Sequence, residues 1–581
     1  MFKRFLKYLL ITTTLLGTLL FSIPFIVPLE SFRTILEEQL SQSIGRKVII
    51  GELTPHAVPL PALTATNVSI LNSPDQPGEL FVEQMRTTLD PLALLDGKII
   101  INTIHLNGVG TNLKFINALI TPPRNAANST SHSSLLAVRQ ISGSNVMLQT
   151  DDLPLLGPYR FNLQLDSDFN CKEISFARMD NTLQAILKPN TNNTFNLRAS
   201  GKNWHLPVSP AFNFDRLNVQ AVIQRGKAEL TRIEINGYGG SLTTSGTLSW
   251  GERWRYQGKL KSSNLQLAPI LKQFDINTYE GRFHSDLTIR LDGKNPAQLF
   301  TDPEAKGTYH ISHGLVKREE DGHVLLRFDE FSANGDLSKG ALINENNILI
   351  TAGGTIQGIT HLFWKEQWKI EGWVVASEID AERLLSGFIE DKVTSGTFYA
   401  TTEFSFTERD NEGLLENPYL NGHFRMTDGK LYKADLEKAS TTLSSKGSQG
   451  GDTPFQRLTG NATIADHHIT ITDIDIISDS LSAHGDITIN PQDALEGEVT
   501  VALRRTASII SAPLKVGGTV NNPRLRLTND VIIGGVIGTS VLGPGIGTAV
   551  GMKVGHIIKK IGSALGQGEA KADLLPTNRQ P

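Results

Sequence analysis

In the stretch ITITDIDI, residues 469 to 476, apolar and polar side chains alternate, but the apolar set changes step midway: Ile469 and Ile471 are followed by Ile474 and Ile476. Residues two apart share a face of a strand, so a regular strand would put the two pairs on opposite faces. The same spacing returns in Ile99, Ile101, Ile104 and Leu106, in Ala228, Leu230, Ile233 and Ile235, and in Leu326, Phe328, Phe331 and Ala333; Leu80, Val82 and Met85 form a frayed copy. A two-residue hairpin loop would also restore the inward face. Such loops favour Asn-Gly or Asp-Gly, however, and the central pairs here are Thr-Asp, Asn-Thr, Thr-Arg, Asp-Glu and Glu-Gln. The pattern therefore predicts β-bulges, in which one extra residue bends the strand and keeps its apolar side chains on one face. Where neighbouring strands bend at one level, the sheet becomes a trough lined by apolar side chains. A β-sandwich with bulged corners has the same periodicity.

The rest of the chain reads mainly as short alternating strands separated by Gly, Asn, Asp and Ser turns. Leu29, Phe32, Leu36 and Leu40, with Ile35 beside them and Gly45 as a stop, predict a short amphipathic helix that plugs one end of a sheet or lies on a membrane surface. Residues 254 to 271 and 368 to 385 align without a gap at an offset of 114, matching Trp254 to Trp368, Gly258 to Gly372 and Ile270-Leu271 to Leu384-Leu385. Each unit reads as a hairpin, another strand and a short helical turn, a repeat that speaks for architecture rather than activity. In residues 89 to 97, Asp90 and Pro91 are placed to start such a turn. Two polar stretches, 121 to 134 and 439 to 454, have no apolar period and predict loops.

Both ends have a different character. Residues 8 to 29 carry no charge and follow Lys3, Arg4 and Lys7, which predicts a single transmembrane anchor with a cytoplasmic N-terminus and the bulk of the chain on the far side. From Val531 to Met552 the chain is again uncharged, with Gly543, Gly547 and Gly551 four apart and Lys559 and Lys560 beyond. That spacing suits helix contact in lipid and the lysines suit headgroups, so these five residues are membrane-contact candidates; seven glycines and Pro544 within the run equally fit a flexible tail. The expected division is 1–29 anchor, 30–438 N-terminal and central β-region, 439–454 polar loop, 455–530 C-terminal β-region and 531–581 Gly-rich segment and tail.

With 55 Lys+Arg against 59 Asp+Glu, nothing points to nucleic acid. One cysteine, Cys171, excludes an intramolecular disulfide framework. There is no phosphate loop, H-E-x-x-H, G-x-S-x-G or C-x-x-C motif, so no cofactor or metal is expected and an enzyme is not. His310 and His313 point to opposite faces of a strand, as do His467 and His468, and read as surface or turn histidines. Asp473 and Asp475 share the polar side of a bend with no candidate general acid or base beside them and read as a solvated face. Of the tryptophans, Trp250, Trp254, Trp364, Trp368 and Trp373 suit sugar stacking or a lipid interface, but three lie in the repeat and read as its packing.

Several stretches together resemble the AsmA family of Gram-negative envelope proteins: SIGRKVIIGEL (43–53), LDPLALLDGKIIINTIHLNG (89–108), GHFRMTDGKLYKADL (422–436), residues 453–497, and APLKVGGTVNNPRLRL (512–527). Residues 120 to 410 share only the style. The resemblance implies a mainly β fold, a long bent antiparallel sheet forming an apolar groove, related to the chorein-type bridge-like lipid-transfer proteins. It also implies an inner-membrane, periplasm-facing protein whose partners are phospholipid, the inner membrane and the outer membrane or a protein there, with no catalytic residues. Groove candidates are then Ile99, Ile101, Ile104, Leu106, Leu230, Ile233, Ile235, Phe328, Phe331, Ile469, Ile471, Ile474 and Ile476. The alternative is an assembly factor that holds outer-membrane chains by strand addition.

Overall fold

The structure, a computed structural model, describes most residues from 30 to 528; residues 1–29, 113–136 and 529–581 and shorter stretches between elements lie outside the described residues. The expected anchor, the 121–134 loop, the turn at 91–97, Ile99 and the Gly-rich tail are all outside them. No helix among the described residues is long and apolar enough to cross a membrane.

The described strands form one long, mostly antiparallel and unclosed β-sheet with only short helices, as the alternating pattern predicts. Contacts divide the chain into two compact units: Met1–Gly237 with two short later segments, and Phe300–Pro581 with Tyr238–Leu242 and Gly258–Asp292.

The first unit contains β1 (Lys47–Ile49), β2 (Leu53–His56), β3 (Ala62–Leu71), β4 (Leu80–Leu89), β5 (Ile100–Asn112) and β6 (Ala137–Gln149). It continues through β7 (Leu156–Leu165), β8 (Cys171–Arg178), β9 (Leu183–Asn190), β10 (Thr194–His205), β11 (Asn213–Gln224) and β12 (Lys227–Gly237). β1 and β2 lie end to end along one edge of β3. Every later strand pairs with its predecessor, and one pair departs from the expected antiparallel order: β5 and β6 run parallel. A parallel pair needs a connection of about a dozen residues or more. The stretch between Asn112 and Ala137, which contains the polar run at 121–134, is long enough.

The described residues between 30 and 41 are helical, as the Leu36 period predicts. Leu36 packs on the core of Val48, Ile50, Ala65, Val68, Val82 and Val109. Polar side chains of the helix meet the free edge of β1: Ser41 Oγ accepts from the Val48 N–H (2.9 Å), Glu37 Oε1 accepts from the Ile50 N–H (2.7 Å), and Arg33 Nη1 donates to the Gly51 carbonyl (2.8 Å). Backbone groups that would otherwise offer a template for another strand are thus satisfied from within the chain.

β13 (Gly240–Ser249) and β14 (Trp254–Gln266) are each divided between the units, and the second unit holds most of β15 (Tyr279–Gly293), then β16 (Glu304–Lys317), β17 (Val324–Ser338), β18 (Ala341–Thr351), β19 (Gly354–Phe363), β20 (Lys369–Asp380), β21 (Thr394–Thr407) and β22 (Pro418–Leu431). After them come β23 (Thr453–Ala465), β24 (His468–Ile477), β25 (Leu481–Ile489), β26 (Leu495–Leu503), β27 (Ile510–Thr519) and β28 (Asn522–Leu527). The short helices are α1 (Leu267–Leu271), α2 (Ala381–Leu385) and α3 (Leu436–Thr441). The Asp380 carboxylate accepts from the Arg383 N–H and that of Asp435 from the Lys438 N–H, capping α2 and α3. The 114-residue repeat is carried by the backbone: α1 and α2 are offset by that interval, as are the left-handed residues Asn264 (φ 59°) and Glu378 (φ 58°), and the ring pairs Trp250–Trp254 and Trp364–Trp368.

From β22 to β28 the apolar face is closed. Met426, Leu458, Ile469, Ile474, Ile476, Leu514 and Leu527 are at most 2% exposed, and Leu436 and Ala439 of α3 join them. The beginning of the expected 439–454 loop is therefore the end of α3. At the far edge, Leu525 exchanges backbone hydrogen bonds with Ser448 (2.7 and 3.2 Å), and Pro523 has no N–H to offer.

Two stability effects follow. Ile474→Ala removes a side chain that is 1% exposed and should cost about 3 kcal/mol, whereas Leu197→Ala on the half-buried face of β10 should cost about 1 kcal/mol; urea unfolding followed by circular dichroism measures both. Asn346 is left-handed (φ 53°), so Asn346→Gly should be tolerated and Asn346→Val should lose about 1–2 kcal/mol in the same assay.

Candidate functional site

The change of step is visible in the register. Opposite β25, Ile471 pairs with Ile487 and Ile474 with Gly485, so β24 carries one extra residue, and Asp473 sits there in the left-handed conformation (φ 51°). Asn102 is the extra residue in β5, where Ile101 faces Leu89 and Thr103 faces Thr88; Thr231 is extra in β12 and Asp329 in β17. From β16 to β24 every second strand has one non-glycine residue in the left-handed region: His313 in β16, Asn346 in β18, Glu378 in β20, Asp428 in β22 and Asp473 in β24. Asn and Asp tolerate this conformation better than other side chains do, which accounts for most of the set.

The frayed copy in β4 changes step by another route. No register shift separates Val82 from Met85, because the neighbours slip at the same level: Val82 faces Val68 and Val109, and Met85 faces Ala65 and Leu106. Asn67 (φ 52°) and Gly108 (φ 65°) supply the left-handed turn on either side.

The consequence in the first unit is an unbroken apolar face. Along one row Ile104 faces Ile141, which faces Leu163, then Ile174, Leu187, Leu197, Ala221 and Leu230. Beside it Leu106, Gly143, Phe161, Phe176, Ala185, Ala199, Val219 and Ile233 form a second row. The ring of Phe161 occupies the space that a side chain at Gly143 would need. From β5 to β12 each row runs on the order of 30 Å at the usual strand spacing. Nearly all these residues are half-buried, while Gln184, Lys188, Asn196, Arg198, Ser200 and Arg232 project from the other face. Half-buried is the state of an apolar floor that no other described part of the chain covers.

The second unit begins similarly. Phe283, Ile311, Phe331, Leu349 and Ile356 face one another in sequence, and Leu342, Leu362, Ile370 and Phe406 form a parallel row. Between them lies a line of paired polar groups: Ser262 with Ser285 (2.8 Å), Tyr309 Oη donating to Asn344 Oδ1 (2.8 Å), and Asn347 Nδ2 donating to Thr360 Oγ1 (2.6 Å). Burial pushes the Tyr309 phenol up to about 12, so the hydroxyl stays a donor.

The named candidates therefore fall in two environments. Ile101, Ile104, Leu106, Leu230, Ile233, Ile235, Phe328 and Phe331 are half-buried, whereas Ile469, Ile471, Ile474 and Ile476 are 0–3% exposed in the closed core. The tail candidates Gly543, Gly547, Gly551, Lys559 and Lys560 lie outside the described residues. Sequence spacing missed Leu163, Ile174, Leu187 and Leu197, because regular alternation carries no mark that distinguishes an open floor from a core.

Among the described residues, no group of three or more His, Cys, Asp or Glu side chains is placed to hold a metal. His310 stacks on His284 of the next strand (centroids 4.4 Å apart), and His467 belongs to the β23–β24 turn with Asp466, both at positive φ. Asp475 has a neighbour that sequence did not reveal, His484 Nδ1 at 2.9 Å, with Arg457 on the same carboxylate. Burial pushes the Cys171 thiol up, away from thiolate reactivity.

The comparison with protein families agrees with the resemblance read from sequence: residues 2–137, which reach the first residue of β6, match the model of the AsmA family. No curated protein matches the chain.

The raised Tyr309 pKa has a testable sign. An unfolded phenol ionises near 10, the folded one near 12, so Tyr309 adds stability that is complete below pH 10 and is lost as pH rises towards 12. Urea midpoints taken from pH 8 to 11.5 should fall more steeply for the wild type than for Tyr309→Phe.

Proposed function

We propose that this chain is an inner-membrane-anchored envelope protein that shields the acyl chains of phospholipid on its apolar face and transfers the lipid towards the outer membrane. The observation that carries the reading is the pair of half-buried rows from β5 to β12, backed by the AsmA match over residues 2–137. Each methylene moved out of water is worth roughly 0.8 kcal/mol, so a two-chain lipid leaves a bilayer at a useful rate only if something covers its chains. Leu, Ile, Val and Phe do so without directional bonds, which lets chains slide.

In this reading Ile101, Ile104, Leu106, Leu230, Ile233 and Ile235 hold lipid chains in the first unit together with Leu163, Ile174, Leu187 and Leu197, and Phe328 and Phe331 do so in the second. Residues 8–29 anchor the chain, and Gly543, Gly547, Gly551, Lys559 and Lys560 meet a membrane. Strand addition to an unfolded client is disfavoured where the described sheet edges are bonded: Glu37, Ser41 and Arg33 hold residues 48–51 at one, and Ser448 pairs with Leu525 beside Pro523 at the other.

Mass spectrometry of lipids that copurify with the full chain tests the reading. Wild type should carry phospholipid, and Leu197→Asp with Ile233→Asp should lose most of it while keeping its circular dichroism. An empty wild type, or equal loading of the variant, would contradict it.

A further inference from the structure

Trp373 does not pack as the repeat led one to expect. Trp250 and Trp254 lie against each other, as do Trp364 and Trp368, but Trp373 is 47% exposed on the polar face of β20, and Tyr419 on β22 is 42% exposed on the same face. The register fixes what lies between them. Trp373 faces Glu403, which faces Asn421; in the adjacent row His361 faces Glu371, which faces Ser405, which faces Tyr419. His361, Glu371, Glu403, Ser405 and Tyr419 surround a shallow cavity of about 350 Å³ over Gly372. Asn421 Nδ2 donates to Glu403 Oε1 (3.2 Å) and Thr463 Oγ1 to Asn421 Oδ1 (3.2 Å), so the planar polar groups are held in place.

From this arrangement we infer that the polar face of β20–β22 binds an extended glycan of β-1,4-linked pyranoses. The C–H faces of a pyranose stack on Trp and Tyr rings, and carboxylates and carboxamides take paired hydroxyls in their plane. The two rings are two strands and one two-residue step apart, about 12 Å from strand geometry, close to the length of a disaccharide. A β-1,4 chain is extended and ribbon-like, which suits rings spaced along one face of a sheet. Charge disfavours a phosphate-bearing surface: Glu403 presents a carboxylate there, and the nearby Lys369 is already paired with Glu371 (2.5 Å). The core of a protein interface is depleted of charged residues, whereas here the aromatic rings are separated by carboxylates. This site is on the face opposite the apolar rows and does not depend on what they carry.

Titration of the full chain with a tetrasaccharide of β-1,4-linked N-acetylglucosamine, followed by calorimetry, decides the matter. Saturable binding that weakens about tenfold in Trp373→Ala and again in Tyr419→Ala, but not in Trp254→Phe, is the expected result. Both substituted residues are exposed, so circular dichroism should be unchanged. No saturation at millimolar sugar would overturn the inference, as would binding that survives the double substitution or equal binding of an α-1,4-linked glucose tetrasaccharide.

Discussion

In a strand a slip of one residue turns every side chain over to the other face, and this constraint governs the molecule. A bend inserts one residue. Unless that residue is absorbed, everything beyond it points the wrong way. The chain absorbs it in two ways: by single bulges such as Thr231 and Asp329, and by making β3, β4 and β5 slip at the same level so that their pairing is undisturbed. Both keep an apolar floor continuous while the strands bend.

What happens to that floor differs along the chain. Between β5 and β12 it stays half-buried, and between β22 and β28 it closes into a core with α3, where Leu436 is 0% exposed. An open apolar floor exposes backbone edges and greasy surface together, and the edges are dealt with locally. The helix at 30–41 does this for β1 with three side chains, and Ser448 does it for β28 with one residue. Among the described residues the floor is left uncovered while the edge at β1 and the edge at β28 are bonded, which fits a cargo that lies on the face rather than a strand that joins the sheet.

Much of this was legible beforehand. The step at Thr472-Asp473 gave the bulge to within a residue, since Asp473 is the one with positive φ, and the 114-residue offset gave both α1 and α2. The parallel β5–β6 pair was not legible, because strand direction is set by a connection and leaves no mark in alternation. Nor was the difference between Ile233 and Ile474. They have the same spacing and side chain, but what covers each comes from strands and a helix distant in sequence. Trp373 escaped for the opposite reason: its membership in a repeat predicted packing, and only the register shows it projecting beside Glu403.

The most direct measurement places a photocrosslinking amino acid at successive positions of β12 and reads lipid adducts by mass spectrometry after irradiation in membranes. Adducts at Leu230, Ile233 and Ile235, with none at Glu229, Arg232 or Glu234, would show lipid following the change of step. Adducts at Leu230 and Arg232 but not Ile233, or the same yield at every position, would contradict the account.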